Sequence, residues 1–285
     1  MKKKFLFILK SFLLKRTKVT IVTSTGRTGT KFIKTFFSTV FPNLIVKHEP
    51  FPDFFDLGVE KIRHKKDSNY LKKYLIEHRG SLLLSSKNLF RILVGKEIKY
   101  IECNPFLFPL INEYAQVFKE FNMVYITRNP ETYICSALRK EPKNNGENNF
   151  YGENDTRQRL NAVDYGESNL KEWKSLSRGE KIAWYWRKCN YILLEKQSIL
   201  GDNAVQVKFE DLFNDNLNVQ IENWHKIVKV IGVSPDRINE KNLRNIKGEK
   251  VNASKDVPIR SEDFNDEIKQ RIDDSTMAMK KRLSY

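Results

Sequence analysis

Through most of the chain, short β-branched and aliphatic runs alternate with stretches whose apolar residues recur at three- and four-residue spacing. This is the pattern of strands joined by helical crossovers. Strands are predicted at residues 18–23 (KVTIVT), 44–47, 82–85, 98–102, 123–127 and 204–209. Helices are predicted at 30–40, where Phe32, Ile33, Phe36, Phe37 and Val40 share a face, at 106–121, and at 182–199 with Trp186, Cys189 and Leu193 facing one side. Such alternation predicts an α/β fold, a single domain with a central parallel sheet flanked by helices. Residues 141–181 break the pattern: they open with EPKNNGENNFYGEND, rich in Asn, Gly and Glu, and are too long for an ordinary connection. They are expected to form an acceptor-side lid or a mobile loop.

Composition sharpens this. With 285 residues, 40% of them hydrophobic and 30% charged, the chain can build a core and is unlike a disordered polymer. Its formal charge of +16 implies contact with anions but does not choose among nucleic acid, an acidic membrane and a phosphorylated small molecule. Position narrows the choice, because Lys2, Lys3, Lys4, Lys10, Lys15, Arg16 and Lys18 crowd the front with no acid among them. The front apolar run superficially resembles a secretory signal. However, Lys10 and Ser11 interrupt it, no small-residue cleavage site follows, and it falls far short of the ~20 residues that span a bilayer. Residues 1–17 are therefore predicted to be a basic amphipathic helix, either docked on the domain at 18–285 or touching a membrane surface. The aromatics mostly follow core spacing, so no nucleic-acid partner is expected. Cys103, Cys135 and Cys189 are odd in number and widely spaced, and the four histidines lack ligand spacing, so neither a disulfide framework nor a metal site is expected.

The candidate chemistry lies at two points. A strand, then Ser24-Thr25-Gly26-Arg27-Thr28-Gly29-Thr30-Lys31, then a helix, is an arrangement that can cradle a phosphate. Glycines let backbone N–H groups curl around its oxygens, the helix N-terminus adds partial positive charge, and Arg27 and Lys31 add full charges. It is not the nucleotide-triphosphatase loop: only two residues separate the glycines, and Phe32 follows Lys31 where a magnesium-binding hydroxyl would stand. The second point is Thr127-Arg128-Asn129-Pro130 with Ser136 eight residues after the arginine, inside a helix that Pro130 starts. That spacing can bring a guanidinium and a hydroxyl to one anionic group, or it can mark a structural ion pair.

Together these segments resemble the sulfotransferases that use 3′-phosphoadenosine 5′-phosphosulfate (PAPS). The Ser24–Lys31 loop resembles the family's 5′-phosphosulfate loop, and Arg128 with Ser136 its 3′-phosphate motif. Further likeness lies in the Trp-bearing helix around Trp184 and Trp186, in Val207-Lys208-Phe209-Glu210-Asp211-Leu212, and in Lys250-Val-Asn-Ala-Ser254, similar to the cofactor-covering loop of bacterial members. The chain departs from the family at Arg27, where many members carry Lys, and at Phe32, where those members place a Trp beside the adenine.

The resemblance implies a sulfotransferase with a P-loop-like architecture that moves a sulfuryl group from PAPS to a hydroxyl or amine by metal-free in-line displacement. Thr25, Gly26, Arg27, Thr28, Gly29, Thr30, Lys31 and Phe32, with Arg128, Ser136, Lys250, Asn252, Ser254 and Lys255, would hold the donor. Arg27 and Lys31 would also stabilise the leaving phosphate. Strand carboxyl ends point into the ligand crevice of an open α/β sheet, which makes His48 and Glu49 the candidate bases. Alternation along a strand predicts that only one of them faces the cleft. Glu102 is a third candidate and hints at a cationic or amine-bearing acceptor. Tyr151 and Trp173, with Glu153, Asp155, Tyr165 and Glu167, would line the acceptor side and suit a polar or positively charged small molecule or a sugar. The competing reading is a small-molecule kinase with an atypical phosphate loop. A cytoplasmic location, with soluble PAPS, is the expectation that fits the absence of a signal, span or disulfide pattern.

Overall fold

The computed structural model describes residues 2–139, 150–152, 155–247 and 258–285. In chain order they form α1 (Lys2–Leu14), β1 (Thr17–Ser24), α2 (Thr30–Val40), β2 (Ile45–His48), α3 (Phe55–Arg63), α4 (Ser68–Leu83), α5 (Ser86–Leu93) and β3 (Ile98–Cys103). A 3₁₀ segment (Pro105–Leu110) then leads to α6 (Ile111–Val117), β4 (Glu120–Thr127) and α7 (Pro130–Leu138). The remainder holds α8 (Leu170–Ser175), α9 (Arg178–Leu200), β5 (Ala204–Lys208), the single turn α10 (Phe209–Leu212), α11 (Leu217–Ile231), α12 (Glu240–Lys247) and α13 (Asp266–Arg282).

The five strands form one parallel sheet in the order β2-β3-β1-β4-β5. Both faces are covered, as parallel sheets require. Alternation divides the side chains: Ile98, Tyr100, Met123 and Tyr125 join the core under α4, α6 and α9, while Ile101, Cys103, Val124 and Ile126 join the core under α2 and α11. The central β1 has the β2/β3 half on one side and β4/β5 on the other. The connections after β1 and β4 therefore diverge and leave a crevice at the carboxyl ends of the strands.

Two predicted elements differ. Residues 82–85 are not a strand: Leu71, Leu75 and Leu83 are buried along one face of α4, and Ser85 caps α5 by accepting from the Asn88 N–H at 3.2 Å. A short apolar run does not distinguish a buried strand from the end of a buried helix. The helix predicted at 106–121 shrinks to α6, because Pro109 sits in the preceding 3₁₀ segment and Phe118 is extended, leading into β4. The described part of 141–181 is also tied down, with Phe150, Leu160, Ala162 and Trp173 buried in the α9-side core.

Candidate active site

The loop after β1 is shaped by three left-handed residues, Gly26 (φ 85°), Arg27 (φ 55°) and Gly29 (φ 76°). At Gly29 a side chain is excluded twice, since a Cβ would also lie 2.8 Å from the Phe213 ring. Arg27 holds this conformation without being glycine, at a cost on the order of 1 kcal/mol. Inside the loop, Ser24 Oγ accepts from the Gly26 N–H at 3.0 Å and from Thr28 Oγ1 at 2.6 Å. The Thr28 hydroxyl is thus turned into the protein, and the whole residue is buried. Thr25 is buried, and its carbonyl accepts from the Tyr133 hydroxyl at 3.2 Å. Gly29, at the N-cap of α2, has no side chain to accept from the first N–H groups of that helix. Lys31 is exposed on its first turn.

The parallel register sets Ser24 level with Ile126, so Arg128 emerges from β4 beside Gly26. Arg128 donates through Nη1 to the carbonyl of Arg27 at 2.6 Å and through Nε to Thr132 Oγ1 at 3.2 Å, with its guanidinium over the Phe209 ring. Arg27 in turn donates through Nε to Ser136 Oγ at 3.2 Å. The two motifs, about a hundred residues apart in sequence, therefore meet directly. Arg128 is half-buried, and among the described residues no carboxylate pairs with it. Burial depresses its pKa, Glu210 opposes that shift, and the neighbouring Arg27 adds to it.

Side chains that pattern reading left without a role hold this turn. Trp186 donates from its indole to the Arg128 carbonyl at 2.9 Å. Glu210 accepts from the Asn129 N–H and from the Tyr285 hydroxyl, both at 2.9 Å, and Tyr285 also reaches Thr127 Oγ1 at 3.1 Å. The usable signal was their position: Phe209 and Glu210 directly follow β5, whose carboxyl end adjoins that of β4. The Phe32 ring lies edge-on to Phe213, 5.1 Å between centroids, and beside Trp224.

On the other side of β1, His48 ends β2 level with Cys103. Its Nε2 is 3.2 Å from Thr30 Oγ1 and 3.7 Å from Glu49 Oε1. His48 thus stands at the phosphate loop with the Glu49 carboxylate beside its ring, and Glu49 itself is left-handed (φ 42°). Burial, aided by the charges of Lys31 and Lys34, lowers the His48 pKa to about 4. The imidazole is neutral at pH 7, and a pKa this low makes it a weaker base than an ordinary histidine.

Three candidates are placed elsewhere. Glu102 is fully buried, with one oxygen taking Arg79 Nη2 at 2.7 Å and the other Arg79 Nε at 2.8 Å, while the Tyr100 and Tyr114 hydroxyls and the Asn104 amide fill its remaining sites. It is neither a free base nor a lure for a cationic acceptor. Tyr151 and Trp173 pack edge-on at 5.6 Å, with Trp173 buried and the Tyr151 hydroxyl bonded to the Leu160 carbonyl, so they serve as packing. The acids of that side are likewise paired: Asp155 with Arg159, Asp164 with Arg63, Asp53 with Arg157, and Glu167 with Lys188. Lys250, Asn252, Ser254 and Lys255, with Glu153, lie outside the described residues.

No protein-family model and no curated protein sequence matches this chain. In structure it is similar to sulfotransferase STF1 from Mycobacterium tuberculosis H37Rv, with a TM-score of 0.49, 10% identity, and 94% of this chain and 79% of that one covered. It is also similar to a sulfotransferase from Alicyclobacillus acidocaldarius (TM-score 0.46, 14% identity, 94% and 96% covered). Mouse sulfotransferase SULT7A1 complexed with PAP is similar too (TM-score 0.44, 12% identity, 96% and 89% covered). All three are sulfotransferases. At such identities and TM-scores the likeness adds no functional weight, and what this chain does must be read from its own side chains.

Proposed function

We propose that this protein is a sulfotransferase that moves a sulfuryl group from PAPS to a hydroxyl or amine of a polar small molecule or a sugar. The observation that carries the reading is Arg128, a half-buried guanidinium with no carboxylate partner among the described residues, bonded to the main chain of a glycine loop that Arg27 and Ser136 close from the other side. A half-buried guanidinium whose bonds, among the described residues, go to no carboxylate, with Glu210 too weak to offset its burial, suits an anion supplied by a ligand. Its position fits the 3′-phosphate that distinguishes 3′,5′-ADP from ATP.

In this reading the main chain of Gly26–Thr30, with Arg27, Thr30 and Lys31, receives the 5′-phosphate. As the bond from sulfur to the bridging oxygen breaks and the bond to the acceptor oxygen or nitrogen forms, negative charge grows on the departing 3′,5′-ADP and these donors stabilise it. The acceptor's proton passes to neutral His48, which stands beside Thr30, or to Glu49 next to it. Phe32 and Phe213 offer apolar surface for the adenine. Lys250, Asn252, Ser254 and Lys255 keep the covering role that the resemblance assigns to them. Because Asp53, Asp155, Asp164 and Glu167, among the described acids of the acceptor side, are paired with arginine or lysine, an uncharged polar acceptor suits it better than a cation.

Calorimetric titration with 3′,5′-ADP and, separately, with ATP and magnesium tests the reading. Wild type is expected to bind 3′,5′-ADP more tightly, and tighter binding of ATP with magnesium would replace the sulfotransferase with the kinase. A mass-shift screen for sulfated metabolites, repeated with His48→Ala and Glu49→Ala, then identifies the acceptor and the base.

A further inference from the structure

We propose that α1 is an interfacial helix that seats the protein on an anionic lipid surface, with Phe5, Ile8 and Phe12 entering the boundary between headgroups and acyl chains. A helix that only docks on its own domain turns apolar residues inward and lysines outward. Along the middle of α1 the order is reversed. Phe5, Ile8 and Phe12 are 69%, 56% and 44% exposed, whereas Lys10 is 3% exposed. At 100° per residue the three apolar positions fall within a sector of about 60°, a stripe roughly 10 Å long. Lys10 is held inward by the carboxylate of Glu77 and by Gly80, where a Cβ would lie 2.5 Å from that of Lys10. Leu13 and Leu14 complete the inner anchor.

Charge identifies the occupant. By helical position Lys4 and Lys15 flank one edge of the stripe and Lys2 and Arg16 the other, with the Arg16 guanidinium 5.3 Å from the centre of the Phe12 ring. No acid occurs between residues 2 and 16. A second copy would bring two cationic stripes together, and a nucleic acid has no apolar layer to receive three such side chains. An anionic bilayer supplies both an apolar layer and negative headgroups. The surroundings are of the same kind. Lys10 lies against Gly80, and Lys15 and Lys72 share Gln116, so α1 runs antiparallel to α4. Its N-terminal half thus points toward the end of α4 from which α5 departs, bearing exposed Phe90, Leu93 and Lys87. Among the described residues no helix is long and apolar enough to cross a membrane, so the contact is one of lying on the surface.

Co-sedimentation of the full chain with phosphatidylcholine vesicles, with and without one-third phosphatidylglycerol, tests this independently of the donor assignment. Binding is expected to be at least about tenfold stronger to the anionic vesicles and to weaken as salt rises. The variant Phe5→Ser/Ile8→Ser/Phe12→Ser should lose about tenfold or more in partitioning while keeping the wild-type Tm, since these positions point outward. The variant with Leu at the same three positions should bind like wild type. Wild type that stays in the supernatant with anionic vesicles, or a serine variant that binds as well as wild type, overturns the proposal. So does light scattering that finds a wild-type dimer, split by the serine variant, with no vesicle binding by either.

Discussion

Arg79 and Arg128 are both withdrawn from solvent, both lie against an aromatic ring, and they do opposite things. Arg79 reaches from α4 into the core, where Glu102 takes it in a fork, Tyr114 and the Pro52 carbonyl accept further bonds, and Phe54 lies 3.7 Å away. Burial works against its charge, but the Glu102 carboxylate more than compensates and its pKa is raised. Arg128 has a carbonyl, a hydroxyl and the Phe209 ring, and its pKa is depressed, chiefly by burial. One guanidinium is neutralised within the fold and serves stability. The other is half-buried at the crevice with no carboxylate bonded to it among the described residues, the condition expected of a group kept for a ligand's anion.

The sharpest break of this contrast is Arg79→Met, which strands a buried carboxylate. We expect a loss of about 3–5 kcal/mol in urea unfolding, with part of it recovered in Arg79→Met/Glu102→Gln. The folded fraction should still bind 3′,5′-ADP. Arg128→Ala should show the converse, about a hundredfold weaker 3′,5′-ADP binding by calorimetry with little change in Tm. If Arg79→Met abolished nucleotide binding and Arg128→Ala only unfolded the chain, the two roles would be exchanged. Ser136→Ala, which removes the hydroxyl on Arg27, should weaken the same binding about tenfold.

A pH-dependent effect concerns His48. Its folded pKa of about 4 lies below the ordinary 6.5, so its contribution to stability is complete above pH 6.5 and lost as pH falls from 6.5 to 4. His48→Gln should therefore lose less Tm between pH 7 and pH 4.5 than wild type. Equal losses would mean that the imidazole is not held neutral by its surroundings.

Local chemistry fixed much of this in advance. The strand leading into Ser24–Lys31, the glycines at 26 and 29, and the spacing of Arg128 and Ser136 are short-range signals, because a turn's dihedrals and a helix's start depend on neighbouring residues. The alternation of strands and helices likewise implied a parallel sheet with helices on both faces. Errors arose where sequence neighbours were not the deciding ones. Whether 82–85 forms a strand or joins the end of one helix to the start of the next was settled by the face that α4 buries.

Tertiary structure alone decided partnership. Glu102 looked like an available carboxylate until α4 brought Arg79 to it. Arg128 could have been an ordinary ion pair until β4 was set beside β1, where among the described residues its bonds go to a carbonyl and a hydroxyl and Glu210 acts only at a distance. Phe209, Glu210 and Tyr285 gained roles only when β5 and the last residues of the chain packed against the same strand ends. In α1 the sequence declared a basic amphipathic helix, but only the packing against Gly80 and Glu77 showed that Lys10 faces inward and three apolar side chains face outward. A side chain's charge and size are written in the sequence, whereas its counter-ion and its exposure belong to whatever the fold brings beside it.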